Sequence, residues 1–347
     1  TTADVSENQT SSSLEDLSTT TDGPIKLVSL AGSLTIEGGS DSLGVSANGA
    51  GDVLLEARGA ISDVIVNADV VSGTGNITLD AGNDLAVNAA VTTGGTGTIY
   101  LTSGNDTTID SQLTSDGGDL LVESGGDITQ DAMISSTSGD VGLIAGGTLT
   151  QTTNGDISTG GDVLVSAGND WTMAGDTVIT ASGNVAGHAV IGDLTLGEIN
   201  ATNVALTAGG SIIDENAGSM NVTADNLSLR AEGGLIGDHD NGNGNPGLND
   251  NAIDITVTTL AANAESGIYI SEADGLTITT VAAVTVDIES VERVNFNSTT
   301  ENVSENRTTA PLEDLSTDTD GPIKLVSQTG SITIEGGAGG PGVAANG

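Results

Sequence analysis

A short repeat, in which glycine and a small polar residue precede an alternating strand, dominates the sequence. The pair recurs at steps of 24, 22, 21, 21, 22 and 22 residues. Its members are Gly51-Asp52, Gly75-Asn76, Gly97-Thr98, Gly118-Asp119, Gly139-Asp140, Gly161-Asp162 and Gly183-Asn184. Each pair is followed by the pattern apolar-x-apolar-x-small, as in Val141, Leu143 and Ala145. Strict alternation places those three side chains on one face of a strand, which predicts a stacked apolar interior.

A second landmark follows each of these strands and indicates a corner. Its members are Gly82-Asn83-Asp84, Gly104-Asn105-Asp106, Gly125-Gly126-Asp127, Gly146-Gly147-Thr148 and Gly168-Asn169-Asp170. Glycine and asparagine accept positive φ, and each corner leads to a second and then a third short strand. Three strands per coil of 21–22 residues predict an all-β parallel β-helix, which the crossover preference makes right-handed. Roughly twelve coils at about 4.8 Å each would give a rod on the order of 60 Å long.

The chain also contains a long repeat of 298 residues. Thr1 aligns with Thr299, and 34 of the 49 aligned pairs up to Gly347 are identical. We therefore expect a window of a longer tandem array. Residues 1–22 are predicted to be an inter-unit connector, 23–298 a β-helix rod, 299–320 the next connector and 321–347 the first coil of the next unit.

The junction between units has two interpretations. Residues 299–320 are either a solvated linker or a segment that packs against the rod or a neighbouring chain while the β-helix continues. The second interpretation makes Leu312 and Leu315, with their counterparts Leu14 and Leu17, candidate self-assembly residues. Just before this segment, the alternating pairs Val286/Ile288 and Val294/Phe296 are predicted to be strands that close the unit.

Composition excludes several classes of partner. The chain has 48 acidic and 6 basic residues, a formal charge of −42, so it lacks the basic footprint that nucleic acids and anionic membrane surfaces require. No apolar run approaches the roughly 20 residues of a membrane helix, so we expect no membrane insertion. Absence of cysteine excludes disulfides and fits an exported bacterial protein.

Asp119, Asp140 and Asp162 occupy one position on three successive coils. Carboxylates on neighbouring coils of a stack lie close together and repel one another, which would favour a bridging cation. Asn76, Asn184 and Thr98 fill the same position on other coils, however. A short side chain that caps the local turn explains all of them, and we prefer that interpretation.

The best candidate for a metal site is the insertion at 237–251, which interrupts the coil rhythm. Asp238, Asp240, Asn243, Asn245 and Asp250 offer hard oxygen ligands on a glycine-rich loop, which would suit calcium. The spacing fits neither the EF-hand nor the calcium-binding nonapeptide. The alternative is a flexible polar loop, and the rod is expected to require no cofactor.

Catalysis is not expected. Parallel β-helices can host polysaccharide lyases, but basic partners are nearly absent here and each coil repeats its neighbour. The two histidines, His188 and His239, neighbour no nucleophile system. Asn8, Asn302 and Asn306 begin glycosylation sequons, so glycans are possible partners besides further copies of the chain.

Several segments resemble a known family. "GDVLVSAGNDWTM" and "NVALTAGGSIID" resemble filamentous-haemagglutinin-like repeats of very large bacterial surface proteins, and "NLSLRAEGGLIGD" with "ITVTTLAANAESGIYISEADGLTI" resembles segments of giant repetitive exoproteins. The resemblance implies an exported, rod-like protein. We therefore expect a structural extracellular fibre (a surface filament, sheath or biofilm matrix) of units stacked end to end. The alternative is the stalk of a large adhesin whose binding tip lies outside this sequence.

Overall fold

The computed structural model describes residues 16–238, 251–337 and 340–346. All regular elements in this part of the chain are strands. In the first half they are β1 (Leu17–Ser18), β2 (Ile25–Ser29), β3 (Leu34–Ile36), β4 (Leu43–Ala47), β5 (Val53–Ala57), β6 (Val64–Val66), β7 (Asp69–Ser72), β8 (Ile77–Ala81), β9 (Leu85–Val87), β10 (Val91–Thr93), β11 (Ile99–Ser103), β12 (Thr107–Ile109), β13 (Leu113–Ser115), β14 (Leu120–Ser124), β15 (Ile128–Gln130), β16 (Ile134–Ser136), β17 (Val141–Ala145), β18 (Leu149–Gln151) and β19 (Ile157–Thr159). In the second half they are β20 (Val163–Ala167), β21 (Trp171–Met173), β22 (Val178–Ala181), β23 (Asn184–Ala189), β24 (Leu194–Leu196), β25 (Glu198–Asn200), β26 (Asn203–Ala208), β27 (Ile212–Asp214), β28 (Val222–Ala231), β29 (Leu235–Ile236), β30 (Ile253–Ala264), β31 (Gly267–Glu272), β32 (Leu276–Ile278), β33 (Thr285–Val294), β34 (Thr300–Thr308), β35 (Leu315–Thr317), β36 (Ile323–Ser327), β37 (Ile332–Ile334) and β38 (Val343–Ala345).

All of these strands except β33 and β34 stack in parallel, each on its counterpart one coil earlier, so the chain is a parallel β-solenoid of about ten turns. Three sheets run along the rod. Sheet 1 contains β2, β5, β8, β11, β14, β17, β20, β23, β26, the second halves of β28 and β30, and β35. Sheet 2 runs from β3 through β6, β9, β12, β15, β18, β21, β24, β27 and β29 to the start of β31. Sheet 3 runs from β1 through β4, β7, β10, β13, β16, β19, β22 and β25 to the first halves of β28 and β30.

The interior is one continuous apolar column, as the alternating pattern predicts. Val141 and Leu143 are fully buried, and so are their counterparts on neighbouring coils. A short polar chain joins Trp171, Gln151 and Gln130 inside this column: the indole Nε1 donates to Gln151 Oε1 at 2.8 Å, and Gln151 Nε2 donates to Gln130 Oε1 at 3.0 Å. A buried indole and buried amides need such partners, and the stack supplies them from adjacent coils.

The corner glycines serve a different purpose from the one expected. Gly82, Gly104, Gly125, Gly146 and Gly168 have no positive φ. A Cβ on Gly104 would instead lie 2.4 Å from the carbonyl oxygen of Gly82, the corner directly below it. The corners therefore require glycine because stacked turns approach too closely for a side chain.

The rod is shorter than the sequence predicts. About ten turns at about 4.8 Å each give a length on the order of 50 Å rather than 60 Å. The reason is that residues 279–314 leave the stack between β32 and β35. The prediction that Val286/Ile288 and Val294/Phe296 close the unit is therefore wrong: β33 pairs antiparallel with β34 outside the solenoid.

Candidate functional site

The hairpin of β33 and β34, here called the strap (residues 285–308), lies lengthwise on the outward face of sheet 1. β33 contacts β8, β11, β14, β20 and β23, so it crosses the solenoid strands and runs back along the rod. At its base, Val281 and Leu312 exchange backbone hydrogen bonds of 2.8 and 3.0 Å and pack on Ala261. The strap therefore begins on the last coils of the unit and points toward the first.

An apolar seam holds the strap to sheet 1. Val286, Ile288 and Val291 are fully buried against outward-facing side chains of the sheet, which include Tyr100, Leu121 and Leu164. Gly142 lies in the same outward row, and a Cβ there would meet the Cδ1 atoms of Ile288 and Leu121 at 2.7 Å each. Ile288 thus occupies a hole that the missing side chain of Gly142 leaves open.

Polar contacts fix the position of β33 along the rod. Its backbone donates to threonine hydroxyls of sheet 1, from Val294 to Thr78 at 2.8 Å and from Glu292 to Thr98 at 3.0 Å. The guanidinium of Arg293 lies 2.7 Å from the carboxylate of Asp80. These contacts provide partners for the outer edge of β33, which pairs with another strand, β34, on only one side.

The tip of the strap reaches the first coils of the unit. Lys26 Nζ, on β2, donates to the carbonyl of Asn295 at 3.0 Å. The guanidinium of Arg58 lies 5.6 Å from the ring centroid of Phe296, which is a cation–π distance. The strap therefore connects the two ends of the rod.

The second strand of the strap is anchored at one histidine. Arg307, on β34, donates to Nδ1 of His188 at 2.8 Å. Burial, and then the charge of Arg307, lowers the pKa of His188 to about 4, so the ring is neutral and accepts this hydrogen bond at neutral pH. His239 lies outside the described residues.

The aspartates at the repeated strand start do not cap their own turns. Asp119 Oδ1 accepts the backbone N–H of Asp140 at 2.8 Å, and Asp140 Oδ1 accepts that of Asp162 at 2.7 Å. Asp162 in turn accepts from Asn184 at 2.6 Å. The side chain thus bonds the backbone one coil later, 21 or 22 residues on, and forms a ladder along the rod. Asn76 serves equally well, accepting from Thr98 at 3.0 Å, because the ladder needs only a short acceptor.

The ladder holds the carboxylate of Asp140 where its charged form is disfavoured. Burial, followed by the charges of Asp119, Asp162 and Asp287, raises the pKa of Asp140 to about 6, although the N–H of Asp162 opposes the shift. Asp287 comes from the strap, which closes over this part of the ladder. The repeat in the sequence reveals the like charges of Asp119 and Asp162 on neighbouring coils, but it does not reveal the charge of Asp287.

Four of the five candidate calcium ligands lie outside the described residues: Asp240, Asn243, Asn245 and Asp250. The fifth, Asp238, pairs with Asn251, and its N–H donates to the Asn251 carbonyl at 2.7 Å. Within the described part of the chain, no three acidic or histidine side chains are grouped closely enough to hold a metal ion. Calcium binding at 237–251 stays a prediction.

The four candidate self-assembly leucines have different surroundings. Leu14 lies outside the described residues, whereas Leu17 is 45% exposed on β1. Leu312 packs beneath the strap base with Val281, and Leu315 is fully buried in the interior column. The segment 299–320 thus contains a strap strand, the strap base and a solenoid strand. Self-assembly through these residues stays a prediction.

Sequence analysis missed the strap and its docking surface. The signal was present in the x positions of the repeat, where Leu54, Tyr100, Leu121 and Leu164 are apolar although they face outward. A strand that is apolar at consecutive positions is covered on both faces. Sheet 2 differs: its outward row has Thr108, Thr129, Thr150, Thr172 and Thr195 in register and partly exposed.

Comparison with protein-family models, with curated proteins and with solved structures finds no match for this chain. The structure supports the resemblance to filamentous-haemagglutinin-like repeats only at the level of the β-solenoid fold. No helix in the described residues has the length and apolar character to cross a bilayer. The arrangement as a whole defines a strapped β-solenoid with tandem sequence units.

Proposed function

We propose that this chain is part of a structural extracellular fibre made of tandem solenoid units joined end to end. One observation carries the proposal. The second copy of the repeated segment adds a further coil to the rod, because β36, β37 and β38 pair in parallel with β31, β32 and β35. The segment that begins one unit thus continues the stack of the unit before it.

Continuation solves a problem that a lone β-solenoid has. Its end strands expose unpaired N–H and C=O groups, which invite uncontrolled pairing. When Ile323 pairs with Ile268 and Leu325 with Ile270, the end of one unit is covered by the start of the next. Only the termini of an array then need caps, which favours a polymer over an isolated unit.

The side contacts support a stiff rod. The aspartate ladder bonds each coil to the next, and the strap binds sheet 1 across many coils at once. The charge of −42 keeps such a rod soluble and keeps nucleic acid and anionic membranes away. The exposed threonine row of sheet 2 is the face that we assign to lateral contact with further copies or with glycans.

Immunogold electron microscopy of the producing cells tests the proposal. Antibodies against the tip of the strap, which contains the exposed Phe296, are expected to label filaments outside a bacterial cell. The same serum depleted with the purified chain is the control. Intracellular labelling would contradict the proposal. Single rods that each end in a distinct head, without contacts between rods, would instead identify the adhesin stalk.

A further inference from the structure

The described chain contains the start of a unit twice, so the relation between successive units can be determined within one molecule. β2, β3 and β4 of the first copy correspond to β36, β37 and β38 of the second, at an offset of 298 residues. In the first copy β2 begins sheet 1, β3 begins sheet 2 and β4 belongs to sheet 3.

The second copy occupies different sheets. β36 lies on β31, which begins on sheet 2 at Ile268 and continues on sheet 3, where Ile270 is opposite Ile253. β38 lies on β35 in sheet 1, although its counterpart β4 lies in sheet 3. Between them, β37 lies on β32, which reaches the beginning of sheet 1 where Ile278 is opposite Leu260. No strand of the second copy therefore lies on the sheet that its counterpart occupies in the first copy.

A separate pair of strands gives the same result. β1 pairs with β4 in sheet 3, with Leu17 opposite Val45. Its counterpart in the second copy, β35, pairs with Ala262 of β30 in sheet 1. The displacement thus already exists before Gly321 and Pro322, which precede β36. A unit of 298 residues consequently does not make a whole number of turns.

We infer that successive units of the array are rotated about the rod axis by between one and two sheets, so that the straps of neighbouring units lie on different faces. The inference rests on the proposed tandem array. Each strap covers sheet 1 of its own unit, and sheet 1 of the next unit continues from sheets 2 and 3 of the one before. The straps of two adjacent units then do not share a face.

The rotation determines which partners a fibre can accept laterally. A face that has a strap over one unit has bare sheet over the next. A contact that uses the threonine row of sheet 2 therefore changes direction from one unit to the next. Copies of this chain would associate as a bundle rather than as a flat ribbon.

Engineered disulfides test the rotation in this chain, which has no cysteine of its own. Ser271 and Val326 are opposite one another on β31 and β36. Neighbouring residues of parallel strands lie about 4.8 Å apart, within the Cα separation of about 4.4–6.8 Å that a disulfide spans. S271C/V326C is therefore expected to form an intramolecular disulfide under mild oxidation, detected by peptide mass spectrometry without reduction.

The matched control uses the contact that an unrotated junction would make. Without rotation, β36 would extend sheet 1 and Val326 would lie opposite Asn263, the position that follows Arg230 in that sheet. N263C/V326C should stay reduced, whereas N263C/S316C should oxidise because Asn263 and Ser316 are opposite one another. Circular dichroism checks that each variant is folded.

Oxidation of N263C/V326C, or failure of S271C/V326C while N263C/S316C oxidises, would overturn the inference. These outcomes concern the junction alone, so they are separate from immunogold labelling, which tests the fibre. In labelled filaments the strap antibody should not mark the same face at two successive units. Marks on one face at every unit would also overturn the rotation.

Discussion

Ile288→Ala is expected to release the strap while leaving the solenoid folded. Ile288 is fully buried and fills the hole above Gly142, where even a Cβ would lie only 2.7 Å from its Cδ1. The substitution removes three buried carbons, a change that costs about 2–5 kcal/mol in well-packed sites. None of these carbons belongs to the interior column, so the cost falls on the attachment of the strap.

Limited trypsin digestion measures that attachment. The strap contains Arg293 and Arg307, and the other four basic residues lie elsewhere in the chain. Cleavage within a transiently detached segment follows the population of the open state when reclosing is fast. Since about 1.4 kcal/mol is a factor of ten, a loss of about 2 kcal/mol should raise the cleavage rate at these two sites roughly 30-fold.

Ile61→Ala is the matched control, because it removes the same atoms from a side chain that is 88% exposed. Its cleavage rate should equal that of the parent. Gly142→Leu provides a second route, since it fills the hole from the side of the sheet and should also accelerate cleavage. Equal rates in Ile288→Ala and the parent would show that the apolar seam does not hold the strap.

Three further results are expected. Leu143→Asp puts a charge into the interior column, should cost several kcal/mol and should abolish the cooperative thermal transition of the parent; unchanged melting would refute the inward assignment. Because the pKa of Asp140 is raised to about 6 in the folded chain, its contribution to stability is present below about pH 4 and lost as the pH rises through 6. Asp140→Asn keeps the acceptor for the N–H of Asp162 and should abolish the fall of the urea midpoint between about pH 4 and pH 6. An unchanged pH profile would show that the charge of Asp140 does not cause this fall. NaCl should raise the melting temperature by screening the charge of −42, and a larger effect of CaCl₂ at matched ionic strength would indicate a specific calcium site.

The interior could be predicted because its signal is local. Val141, Leu143 and Ala145 alternate within five residues, and the corner repeats at nearly constant spacing. Each coil therefore specifies its own inward face without reference to the rest of the chain. Stacking follows, because every coil has the same face to bury.

The strap could not be predicted in the same way. Val286 and Ile288 alternate like any short strand, and nothing near them in sequence indicates that their partners are Leu121 and Leu164, more than a hundred residues earlier. The aspartate ladder was predicted in part for a related reason. The need for a short acceptor at Asp119 was evident, but its donor lies on the next coil rather than in its own turn.

The direction of the strap explains what it adds to a rod of stacked coils. Solenoid strands run across the axis, so the coils are held along it by hydrogen bonds and by the ladder, and axial extension pulls neighbouring coils apart. β33 runs along the axis, is attached to the last coils through Val281 and Leu312, and reaches Lys26 on the first. Separating two adjacent coils must also slide β33 past sheet 1 and break contacts such as Glu292 to Thr98. The strap thus adds resistance in the direction in which a fibre is loaded.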